Sequence, residues 1–147
     1  MSYPTVDILA NSHDPVRRMT PASVNRKLDL RTKRLVRGNL VEGPEAVRER
    51  LAELDREWNI DRILMVNFAV VTFVQLLAAR RRRKWLWGPL IQTPLLLLHA
   101  PAGWCPPTLL FRPLGFRTQK EIQAEREALL EGLQEDQTHL RRNAELF

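Results

Sequence analysis

A single cysteine, Cys105, stands in 147 residues, so no internal disulfide forms and no cysteine-rich metal site can be built. The six glycines make no phosphate-cradling loop, and the three histidines, His13, His99 and His139, are spread along the chain. Nor is there an HExxH string, a paired-carboxylate arrangement or a Ser-His-Asp set. The chain is therefore expected not to be an enzyme, and to hold no metal and no cofactor. The N-terminus lacks a basic start followed by an apolar core, so no cleaved signal peptide is visible and an apolar helix is expected to direct membrane insertion itself.

The most telling absence is of charge. Residues 63–79 run ILMVNFAVVTFVQLLAA with no Asp, Glu, Lys or Arg, and with no Gly or Pro. As a helix this stretch spans about 26 Å, the low end of a membrane crossing. Residues 85–111 also lack formal charge, although Pro89, Pro94, Pro101, Pro106 and Pro107 divide them, leaving residues 85–100 as the best helical part. Between the two runs lie Arg80, Arg81, Arg82, Arg83 and Lys84, a connection short enough to require antiparallel helices. Trp58, Trp85, Trp87 and Trp104 all fall near the ends of the runs, where an amphipathic ring settles at a membrane interface. With the five cations, whose long stems let the charge reach water, they form the expected interfacial anchors.

These patterns predict an all-α fold, a two-helix transmembrane hairpin flanked by amphipathic N- and C-terminal helices. The divisions are a flexible tail over 1–22, basic and amphipathic helices over 23–62, the hairpin over 63–111 and a C-terminal helix over 112–147. The net charge of +6 at first suggests nucleic acid, but five of the cations sit in the hairpin turn. No nucleic-acid partner is expected. A lipid bilayer is.

Within 23–62, Val24, Leu28 and Leu35 recur at helical spacing among many cations, with Gly38 as the expected stop. This basic helix suits either anionic headgroups or plain solvent. Pro44 then opens a helix whose apolar stripe is Val47, Leu51, Leu54 and Trp58, running on through Asn59 and Asp61 towards the first span. Thr118-Gln119-Lys120-Glu121 has capping-box spacing, and Ile122, Leu129, Leu130 and Leu133 follow as the apolar face, with fraying expected past Gln137.

Asn67 and Gln75 lie about 80° apart around the first apolar helix, and amides in hydrocarbon need partners. Candidate helix-helix contacts are Gln92 and Thr93 of the second helix, or a second copy of the chain. Cys105 is the candidate reactive thiol, with His99 as a base and Arg112 as the positive charge a thiolate needs. A small residue filling a tight interfacial turn is the competing reading of the same cysteine.

The most distinctive string is Gly103-Trp104-Cys105-Pro106-Pro107, then Arg112-Pro113-Leu114-Gly115-Phe116-Arg117-Thr118, then Glu121-Ile122 with Glu125-Arg126. It resembles the bacterial inner-membrane YgaP-like transmembrane domain family, in the branch with GWCPP and LGFRT motifs, and residues 51–58 also look like that branch. The resemblance covers roughly residues 23–130. It implies a multi-pass inner-membrane protein with cytoplasmic termini. The family occurs alone or fused to a rhodanese module, for which this chain has no room, and the hairpin itself carries no general activity. The expected function is a membrane anchor or interaction scaffold with a protein partner or a second copy. The alternative is a thiol or sulfur-relay accessory using Cys105.

Overall fold

The computed structural model describes residues 14–144. Helix accounts for 83% of the described residues, and no strand occurs among them, as the all-α reading expects. His13 and most of the expected tail lie outside the described residues. The rest of that tail is not featureless: α1 (Pro15–Met19) is capped by Asp14, whose Oδ1 accepts from the Val16 N–H at 3.0 Å, and Val16 is buried. Five residues are too few to show a helical period, so only the Asp-Pro start signalled it.

Two compact units follow from the contacts. The first holds α2 (Ala22–Glu42), α3 (Pro44–Arg56) and α7 (Gln119–Ala144), each packed on the other two. Its core is Val36, Val47, Leu54, Ile122, Ala128 and Leu129, with Leu40, Leu51 and Leu133 at the margin. Burying a side chain of this size stabilises by about 1.5–3 kcal/mol, so these few residues set how the three helices meet. The α2 stripe differs from expectation: Leu28, Asp29, Thr32 and Val36 are buried, whereas Val24 and Leu35 are only half-buried. Leu130 of α7 likewise points outward.

Gly38 does not stop α2, because an α-helical glycine costs only about 1 kcal/mol and Val36 and Leu40 on either side are held by packing. The stop is Gly43, at φ 109°, a left-handed conformation that side chains rarely adopt. The chain then turns into α3, with Pro44 in its first turn. Gly132 of α7 lets the helices close, since a Cβ there would meet Leu40 Cδ1 at 2.9 Å. Helix α7 reaches Ala144, and the fraying expected towards Phe147 ends on positions outside the described residues.

The second unit holds α1, α4 (Ile60–Ala79), a 3₁₀ turn (Arg83–Leu86), α5 (Trp87–Ala102) and α6 (Thr108–Phe111). The stripe of α3 does not run on through Trp58. Helix α3 ends at Arg56, and Asn59 caps α4 by accepting from the Arg62 N–H at 2.7 Å. The Ile60 N–H, one of the orphan donors of a helix start, is satisfied by the Arg117 carbonyl at 2.9 Å. Along α4 and α5, Gln75 meets Gly88, Phe68 and Thr72 meet Gln92, and Asp61 meets His99, so the two helices run antiparallel. Gly103 ends α5 in the left-handed region at φ 67°, its N–H donating to the His99 carbonyl at 2.8 Å. The core of this unit is small: Leu64, Phe68 and Cys105, with Leu95 and Phe111 against them.

Candidate functional site

The outer surface of α4 and α5 is the first feature with functional content. By length and composition, the stretch ending at Ala79 is the one among the described residues apolar enough to cross a membrane, and only 11% of its apolar window is buried. Met65, Val70, Phe73 and Leu77 of α4 and Leu90, Ile91, Leu97 and Leu98 of α5 point outward. A core helix of a water-soluble protein would have most of these covered. Helix α5 has 16 residues with Pro94 and Pro101 inside it, about 24 Å of rise. That is short of a full crossing by itself.

The expected anchors lie at the surface. Trp85 and Trp87 are exposed at the start of the returning arm, and Arg80, Arg81, Arg82, Arg83 and Lys84 are exposed around the turn. At the other end Trp58 is exposed, with the Arg62 guanidinium over its ring at 5.3 Å, while Trp104 is half-buried.

The amides are arranged differently from the sequence expectation. Gln92 donates to the Phe68 carbonyl at 3.0 Å and to Thr72 Oγ1 at 3.2 Å, and Thr93 bonds back to its own helix at the Pro89 carbonyl. Gln75 packs its amide directly over Gly88, where any Cβ would overlap it, and its buried Oε1 has no hydrogen-bond partner. Asn67 is half-buried. Thr72 and Gly88 were the missed members. A glycine opposite a polar residue on a facing helix is the signal that would have found the second.

Cys105 is fully buried, against Leu64, Phe68, Leu95 and Phe111. It lies past α5, in a turn that the Thr108 hydroxyl holds by donating to the Cys105 carbonyl at 2.6 Å. Burial pushes its thiol above the ordinary value; a backbone hydrogen bond with Thr108 opposes this, and the negative charge of Asp61 adds to it. The charge acting on the thiol is thus Asp61, which disfavours a thiolate. Arg112, expected to favour one, is buried and donates to the Phe116 carbonyl at 3.3 Å. His99 Nε2 lies 3.5 Å from Asp61 Oδ1. The side chain of His139 lies outside the described residues.

In the three-helix unit the two motif strings meet. Arg50 Nε donates to Glu125 Oε1 at 2.8 Å, and Arg50 also reaches Glu53 at 2.7 Å and Glu57 at 3.8 Å. Arg126 pairs with Asp55. Asp55 and Arg126, read from the sequence only within two separate likenesses, form one charged contact between α3 and α7, and Arg50, just before the first of those strings, forms the other with Glu125. Comparison of the chain with protein-family models, with curated proteins and with solved structures finds no match in any of the three.

Proposed function

We propose that the chain is a small integral protein of a bacterial inner membrane, with α4 and α5 entering the bilayer as a hairpin and the three-helix unit serving as a scaffold for a protein partner. The observation that carries this reading is the outward apolar surface of α4 and α5. Each large side chain left in water forgoes about 1.5–3 kcal/mol of burial, and lipid takes up the whole set at once. Most backbone groups of both arms are satisfied within helices, as hydrocarbon demands. Pro94 and Pro101 leave the Leu90 and Leu97 carbonyls of α5 without their usual helical donor. Tryptophans and cations at the ends then sit at headgroup level. The YgaP-like resemblance points the same way and rests on the motif residues alone. Both termini face the cytoplasm in this reading, and the short α5 makes the hairpin thin the bilayer locally.

The buried, raised thiol of Cys105 supports a turn-filling role rather than sulfur relay. Alkaline carbonate washing of membranes tests the main reading. An inserted hairpin stays in the pellet, and release into the supernatant refutes it.

A further inference from the structure

Helix α2 separates its residues sharply by face. Leu28, Thr32, Val36 and Leu40 turn inward, while Arg26, Lys27, Arg31, Lys33, Arg34 and Arg37 are exposed. At 100° per residue these six cations occupy an arc of about 160°, with Leu30 and Val41 near its middle. Those two are 54% and 67% exposed, far more than their neighbours in the core demand.

An exposed charged face is ordinarily just solvated, but the acids interleaved with the cations of α3 and α7 are absent from this arc. In α3 and α7 cations are interleaved with acids and some pair with them: Arg48 with Glu45, Arg50 with Glu53 and Glu125, Arg126 with Asp55. Arg26, Lys27, Arg31, Lys33 and Arg34 have no such partner among the described residues, and the acid within the stripe, Asp29, is buried on the other side. A face with five uncompensated cations and two outward apolar side chains needs an occupant that offers negative charge and an apolar layer together.

We propose that this face of α2 is a membrane-surface site for anionic phospholipid headgroups. Phosphates meet the cations, and Leu30 and Val41 enter the boundary between headgroups and acyl chains. Nucleic acid supplies the charge but no apolar layer, and α2 has no aromatic side chain on which a base could stack. The site does not depend on how α4 and α5 meet the bilayer, which carbonate washing scores separately.

The test uses the full chain carrying Leu30→Cys, and separately Val41→Cys, labelled with an environment-sensitive dye. The buried Cys105 is left in place and its lack of labelling checked on the unsubstituted chain. The protein is reconstituted in phosphatidylcholine vesicles with or without about 30% phosphatidylglycerol. The expected result is a blue-shifted, quencher-protected dye in the anionic vesicles alone, reversed by high salt as the Debye length shrinks. Arg34→Gln should lower the ratio of docked to undocked α2 about fivefold, and replacing all five unpaired cations by Gln should abolish docking with helicity unchanged. Identical dye behaviour in both vesicle types overturns the proposal. So does dye protection by an oligonucleotide at physiological salt without any lipid dependence, which reassigns the face to nucleic acid.

Discussion

Arg50 of α3 donates its Nε to the fully buried carboxylate of Glu125 on α7 at 2.8 Å, joining two helices whose residues stand 75 positions apart. The Arg50 side chain is itself only 14% exposed, so removing it takes a charged partner from a carboxylate shielded from water. That is the costly case, whereas removing both together is far milder.

Arg50→Met should therefore destabilise the three-helix unit by about 3 kcal/mol, and the double variant Arg50→Met, Glu125→Met by distinctly less. Denaturant unfolding followed by far-ultraviolet circular dichroism measures both. Equal losses in the single and double variants would show that Glu125 draws its stabilisation from other groups.

At the α4–α5 contact, Gly88→Leu forces the Gln75 amide out of its place, since even a Cβ overlaps it. A loss of about 1–3 kcal/mol is expected, largely relieved by a second change, Gln75→Ala, that clears the position. Thermal melts of the four chains in detergent check this, and an unrelieved loss would place the clash elsewhere.

Cys105 should label at least about 100-fold more slowly with a small maleimide in the folded protein than after denaturation, because a buried thiol reacts only through opening. Its raised value also has a sign. The folded chain holds the thiol proton longer than the unfolded chain does, so this contribution to stability is complete below the ordinary thiol value and is lost as pH climbs past about 9. Comparing the alkaline limb of stability for the parent and Cys105→Ala isolates the effect. Parallel limbs would remove Cys105 as its source.

Self-association through the amides is the fourth expectation. Gln75 Oε1 is buried without a partner, and Asn67, on the same side of α4, is half-buried. A second copy would reach Asn67 directly and Gln75 once its amide turns away from Gly88, at about 0.6–2 kcal/mol per contact. Crosslinking in detergent should give dimers that weaken in Asn67→Leu, Gln75→Leu, and an unchanged pattern assigns the amides to the single chain.

Topology is read with single cysteines at Arg82 and Glu131 in a Cys105→Ala background, probed on intact cells with an impermeant maleimide. The hairpin with cytoplasmic termini labels at Arg82 alone. Labelling at neither position indicates a re-entrant hairpin that never exports its turn, and labelling at Glu131 alone inverts the orientation.

The sequence by itself determined the helical class, the apolar helix over residues 63–79, which the structure starts at Ile60, the start of α7 directly after Thr118, and the turn residues around Cys105. These are local matters: a charge-free run, a cap and a cluster of prolines act on their own neighbours within a few residues. Boundaries governed by packing were legible only in part. Gly38 reads as a stop, yet α2 passes through it because Val36 and Leu40 are held from outside the helix, and Trp58 reads as the last member of the α3 stripe although α3 ends before it. Only the tertiary structure decided that Gln92 bonds to Thr72, that Gln75 rests on Gly88, and that Asp61 rather than Arg112 is the charge felt by Cys105. It also decided that Arg50 finds Glu125. Each of these pairs joins different elements, and side-chain periodicity shows which face a residue occupies but carries no information about what the facing element presents there.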